Sequence, residues 1–182
     1  SKVIGNIADV TENRWDGHVS CGLVGVEYLL RTLTRHGRPD LAMKIASNDT
    51  YPSLGYMASK GATTIWELWN GDTAAPDMNS GNHVMMIGDY LIWCYEDLAG
   101  IRNADGSTAF RRALMQPCFP DGLDRVEASY DSASGRYVSN WHRKADRVKW
   151  EVAVPANCSA DIRLPKKLFP SAPRTGKGIL SV

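Results

Sequence analysis

The sequence predicts a chain that is helical in its first part and strand-rich in its second. Three observations carry that prediction. Leu23, Val26, Leu30 and Leu33 recur at helical spacing. Val148, Trp150, Val152 and Val154 alternate with Lys149, Glu151 and Ala153, the period of a half-buried strand. The change of period falls just after Asp105-Gly106, so the chain divides into residues 1–104 and residues 105–182.

Within the first part, Lys2 to Asn13 is weakly patterned, and Arg14-Trp-Asp-Gly17 reads as a turn. Ser20 is the expected cap of a helix whose stripe is widened by Leu29 and which ends at Arg35-His36-Gly37, with cations at the carbonyl end. Pro39 and Asp40 open a second helix with Leu41, Ala42, Ile45 and Ala46 on its face. The short linker makes these two helices packing neighbours. Tyr51-Pro-Ser-Leu-Gly55 feeds a short helical piece that runs to Lys60 and stops at Gly61. A Gly-, Asp-, Pro- and Asn-rich loop from Asn70 to Gly81 then leads into a third substantial helix, from about Asn82 to Ala99.

In the second part, strands are expected over Ala109–Met115, Arg125–Tyr130, Arg136–His142 and Val148–Val154, with a further one through Ala160, Ile162 and Leu164. Asp131-Ser-Ala-Ser-Gly135 supplies a hairpin turn, and Tyr137, Ser139 and Trp141 share one strand face. Short strands separated by turn signals read as an antiparallel sheet or β-sandwich.

Composition narrows the function classes. Among 182 residues, 21 Lys and Arg against 20 Asp and Glu leave a formal charge of +1, so charge favours neither nucleic acid nor an anionic membrane as partner. Lys166, Lys167, Arg174 and Lys177 read as a solvated, Pro-broken tail. No apolar run approaches the roughly 20 residues of a membrane span. Cys21, Cys94, Cys118 and Cys158 lie far apart, fit small half-buried side chains, and have no metal-ligand spacing with His18, His36, His83 or His142. Phosphate-cradling and dinucleotide glycine patterns are absent, so the sequence implies no cofactor and no metal. Ser1 in place of an initiator methionine suggests a processed protein or a piece of a longer one.

The stretch with most chemistry is Gly61-Ala-Thr-Thr-Ile-Trp-Glu-Leu-Trp69, which sets Glu67 between Trp66 and Trp69. Aromatic faces bracketing an acid can hold a sugar ring beside a working carboxylate. The same residues also suit a buried tryptophan pair with a solvated acid, and the short run does not separate the two readings.

Many short motifs in a fixed order carry a resemblance. They are Asp16-Gly-His-Val-Ser20, Tyr28-Leu-Leu, His36-Gly37, Tyr51-Pro-Ser-x-Gly-Tyr56, the Gly61–Trp69 block, Asn82-His83 and Gly88-Asp89, followed by Val152-x-Val-Pro-Ala-Asn157 and Leu164-Pro165. In that order they resemble the last part of the catalytic domain of bacterial α-L-rhamnosidases, glycoside hydrolase family 78, with its small C-terminal β-sandwich. The resemblance implies that residues 1–104 are the closing helices of an (α/α)6 toroid whose upstream helices are missing partners. It also implies an inverting hydrolase that removes terminal α-L-rhamnose from a glycan or glycoside. By similarity Glu67 is the water-activating base, and His83 contacts the sugar together with Asn82. Trp66 and Trp69 would supply apolar walls for a deoxysugar. Asp72, Asp77, Asp89 and Glu96 match no general-acid motif, so the fragment alone is expected to be inactive. Leu68 stands where the family often has arginine and Leu54 where an aromatic is common, which reshapes the pocket rim. The resemblance further implies a periplasmic or secreted parent.

Two other functions fit parts of the pattern. One is a noncatalytic carbohydrate-binding or structural module, with Tyr130, Tyr137, Trp141 and Trp150 as candidate platforms, although Trp150 shares its face with valines. The other is a related toroidal hydrolase for another sugar.

Overall fold

The computed structural model describes residues 2–165, and the basic tail expected beyond Leu164-Pro165 lies outside them. Two compact units divide the chain, residues 1–93 and residues 94–182.

The first unit holds five α-helices: α1 (Lys2–Asp9), α2 (Leu23–Arg35), α3 (Pro39–Ser47), α4 (Leu54–Ser59) and α5 (Val84–Trp93). A π-helical turn, Val10–Arg14, follows α1 directly. The apolar stripes do what their spacing requires. Val26, Leu30 and Leu33 of α2 are buried with Leu41, Ala42 and Ile45 of α3, and Met86 and Trp93 of α5 complete this core. Buried aromatic heads are satisfied: Trp93 Nε1 donates to Thr34 Oγ1 at 2.9 Å, and the Tyr90 hydroxyl donates to Ala46 O at 2.8 Å. These two bonds tie α5 to α2 and α3.

Two expectations change here. The cap of α2 is Gly22, with no side-chain hydrogen bond, so Ser20 does not cap it. The weakly patterned Lys2–Asn13 forms a helix: Ala8 of α1 is buried and Ile4 and Ile7 are half-buried, an apolar stripe too short to stand out. α4 does have a side-chain cap, because Ser53 Oγ accepts the Tyr56 N–H at 2.9 Å.

The second unit opens with a π-helical turn, Cys94–Leu98, and has six strands among the described residues. They are β1 (Ile101–Asn103), β2 (Arg112–Met115), β3 (Arg125–Ser132), β4 (Gly135–Lys144), β5 (Arg147–Ala153) and β6 (Ser159–Ile162). One three-stranded sheet has the order β3-β4-β5 and is antiparallel throughout. The other has the order β1-β2-β6, and its β2–β6 pair is parallel. The expected wholly antiparallel arrangement is therefore corrected to one antiparallel and one mixed sheet. The expected Ala109–Met115 strand is shortened as well. Ala109 and Phe110 have φ of 53° and 61°, and such left-handed backbone cannot continue a strand.

Tyr137, Trp141 and Trp150 are fully enclosed in the core of this unit with Ile101, Met115 and Val152. Ser139 links them: its hydroxyl donates to Ala99 O at 2.6 Å and accepts Trp150 Nε1–H at 2.8 Å. Trp141 Nε1 donates to Leu98 O at 2.9 Å. Of the four aromatics considered as a glycan platform, only Tyr130 reaches the surface, at 39% exposure. Gly100 has φ of +72°, and a Cβ there would run into the backbone at Gln116 and Pro117.

Candidate active site

Residues 61–83 contain no helix or strand, and the loop is built by hydrogen bonds between its two ends. His83 N–H donates to Ile65 O at 2.7 Å, and Glu67 N–H donates to Ser80 O at 2.9 Å. The Thr64 hydroxyl donates to Gly81 O. One residue further, Leu68 N–H is taken by the side-chain oxygen of Asn79 at 3.0 Å. Ser80 N–H donates to Glu67 Oε2 at 3.1 Å, so the carboxylate is held through one oxygen by a backbone amide. Ser80 also closes on Asn82, donating its hydroxyl to Asn82 O and accepting Asn82 N–H, each at 3.3 Å.

Glu67 is exposed at the head of this loop. The two tryptophans beside it have different surroundings. Trp69 donates Nε1–H to Cys21 O at 2.9 Å and lines an internal apolar hollow with Val19, Leu30, Ile45, Met86 and Tyr90. Trp66 lies over Gly71, where a Cβ would come within 2.7 Å of its ring carbons. That close approach explains the glycine at position 71. Asn82 is exposed, while His83 is half-buried, with an Nδ1 that is shielded and has no hydrogen-bond partner.

The other acids have separate positions. Asp72 Oδ2 accepts the Tyr56 hydroxyl at 2.9 Å, and this bond pushes the phenol proton's release upward. Tyr51 meets the Tyr56 ring edge-on, with centroids 5.3 Å apart. Asp89 on α5 is shifted upward by partial burial and by Glu27 nearby, while Arg31 opposes the shift. Among the described residues no group of three or more His, Cys, Asp or Glu is placed to hold a metal. All four cysteines are free and half-buried; desolvation raises Cys21 and Cys94, and pushes Cys118 up to about 12. No helix among the described residues is long and apolar enough to cross a membrane.

An exposed carboxylate with one oxygen anchored and the other unpaired among the described residues can take a proton from water. Sequence reasoning reached Glu67 but not Asn79, Ser80 or the Tyr56–Asp72 bond. In the sequence Asn79 and Ser80 are merely part of the Asn70–Gly81 loop, and their partners lie more than ten positions away.

Comparison with known proteins defines the class. Residues 2–98 match the profile described as the bacterial alpha-L-rhamnosidase 6 hairpin glycosidase domain, and residues 100–176 match the bacterial alpha-L-rhamnosidase C-terminal domain. An alpha-L-rhamnosidase of Formosa agariphila is 34% identical over 157 residues, covering 82% of this chain and 16% of that protein. The solved alpha-L-rhamnosidase of Dictyoglumus thermophilum superposes with a TM-score of 0.79 at 32% identity, over 87% of this chain and 17% of that one. The Streptomyces avermitilis alpha-L-rhamnosidase, solved in complex with L-rhamnose, gives 0.76 at 31% identity over 85% of this chain and 15% of that one. These matches place the chain among glycoside hydrolases with a helical catalytic domain and a following β domain. It belongs to the bacterial α-L-rhamnosidase family, glycoside hydrolase family 78. The chain spans about one sixth of the length of these relatives.

Proposed function

We propose that this chain is the base-bearing segment of an inverting α-L-rhamnosidase. Glu67 would deprotonate the water that attacks the anomeric carbon of a terminal rhamnose. The observation that carries the reading is the anchoring of Glu67: the Ser80 amide holds one carboxylate oxygen and leaves the other to face a water. Inversion asks for such a base and for an acid on the opposite side of the bond, with the two carboxyl groups about 6.5–9.5 Å apart. None of Asp72, Asp77, Asp89 or Glu96 is offered as that acid. Asp72 is engaged with Tyr56, and Asp89 lies on α5 beside Glu27 and Arg31.

The acid, on this reading, belongs to the larger part of the relatives that this chain does not span. Val24, Tyr28, Val84 and Met85 are more than half exposed, and a groove of about 370 Å³ is lined by Ile7, Val10, Cys21, Tyr28 and Leu29. Large apolar surface of this kind asks for a cover. Upstream helices completing an (α/α)6 toroid would provide it, and the two sheets of the second unit would serve as a structural β-sandwich. Burial of Tyr137, Trp141 and Trp150 favours that structural role over glycan binding by the second unit. His83 and Asn82 would contact sugar hydroxyls, with Trp66 as an apolar wall. Trp69, bonded inward to Cys21 O, would support from behind.

The test is to follow hydrolysis of an α-L-rhamnoside by the full-length protein with proton NMR. The β anomer of rhamnose should form first and then mutarotate. First formation of the α anomer would overturn the base role of Glu67, and a lack of hydrolysis would overturn the substrate.

A further inference from the structure

The loop around Glu67 reveals a positioning residue that its role as a base does not itself require. Backbone bonds connect the two ends of the loop at Ile65–His83 and at Glu67–Ser80. The N–H of Leu68, next to Glu67, has no backbone acceptor among the described residues. Instead Asn79 Oδ1 takes that N–H at 3.0 Å, in a partly buried position. The side chain thus serves as the acceptor for the loop amide beside Glu67.

Glu67 lies between two fixed points, its own N–H on Ser80 O and the following N–H on the Asn79 side chain. Ser80, next to Asn79 in sequence, is the residue whose amide reaches Glu67 Oε2 at 3.1 Å. The Asn79–Leu68 bond and the Glu67–Ser80 backbone bond together hold the segment whose Ser80 amide reaches the carboxylate.

We propose that Asn79 is a positioning residue for Glu67, locking the 79–80 segment so that the Ser80 amide holds one carboxylate oxygen and aims the other at the attacking water. The inference rests on Glu67 being the base. Asn79 touches neither sugar nor water in this role, so its loss should affect the chemical step and leave ground-state binding of the rhamnoside intact.

The experiment uses full-length protein and p-nitrophenyl α-L-rhamnoside, with Glu67→Gln as the reference. Asn79→Leu keeps the size of the side chain and removes its acceptor. It should lower kcat by about 10- to 100-fold, the scale of a misplaced catalytic group, with KM changed by no more than about twofold. Asn79→Asp keeps an oxygen at the same place and should recover much of the lost kcat. Circular dichroism and the folded fraction of each variant normalise the rates, and Asn79→Ala serves if the leucine variant does not fold. An inactive Glu67→Gln beside an Asn79 variant with wild-type kcat would overturn the positioning role and leave the base reading standing. Loss confined to KM, or no recovery in Asn79→Asp, would overturn it equally. An active Glu67→Gln would remove the base reading, and the positioning role with it.

Discussion

The Glu67 carboxylate is exposed and held through one oxygen by the Ser80 amide. Its flanking tryptophan Trp66 stays in place because Gly71 offers no Cβ, and the space is already filled by ring carbons at 2.7 Å. Gly71→Ala should therefore displace the indole, cost about 1–3 kcal/mol of stability as overpacking does, and shift tryptophan emission in the folded protein. Unchanged denaturation and emission would show that the ring yields freely. Ser139 is a second residue with two obligations, one to Ala99 O and one to Trp150 Nε1. Ser139→Ala leaves a buried indole N–H without an acceptor, so urea unfolding should record a loss of about 1–3 kcal/mol. The sequence displayed Glu67, Trp66 and His83 through their chemistry. It did not display Asn79 and Ser80, because their importance comes from a partner 11 to 13 positions away and not from residue type.

Secondary-structure elements were legible where one face is buried. α2 and α3 were read from their stripes, and β4 from Tyr137, Ser139 and Trp141, all of which are enclosed. α1 is not legible, since its covered side is only Ile4, Ile7 and Ala8, and β1 spans only three residues, too few to show alternation. Alternation did show that β6 is a strand, but its parallel pairing with β2 is a long-range choice that periodicity does not encode. Between the elements, Arg38 joins Asp40 at the start of α3 to Glu12 in the first π-helical turn, at 2.9 and 2.5 Å. Its hydrogen bonds hold the Asp40 carboxyl below the ordinary 3.8. A depressed acid stabilises the fold fully above 3.8 and loses that contribution as the pH falls through its folded value. Because Asp40 is more than half exposed, solvent screening limits the effect to about 0.5 kcal/mol. Asp40→Asn should therefore be slightly less stable than wild type at neutral pH, and the difference should close as the pH is lowered beneath 3.8. A difference that persists in acid would mean that Asp40 acts through packing.

At the scale of the whole molecule, the exposed apolar residues of α2 and α5 and the anchored Glu67 have one explanation in common. On the proposed function, the chain carries the base of a catalytic domain, and the rest of that domain would cover the apolar surface and supply the acid. The 182-residue chain alone should bind a hydrophobic dye and leave α-L-rhamnosides uncleaved, whereas the full-length protein should bind little dye and turn them over. Turnover by the isolated chain would show that a sufficient acid is already present. The most direct measurement is the rate of p-nitrophenyl α-L-rhamnoside hydrolysis by full-length wild type and by folded Glu67→Gln. Removal of a general base predicts a loss of about 10²-fold or more. A Glu67→Gln variant nearly as fast as wild type would contradict the account at its centre.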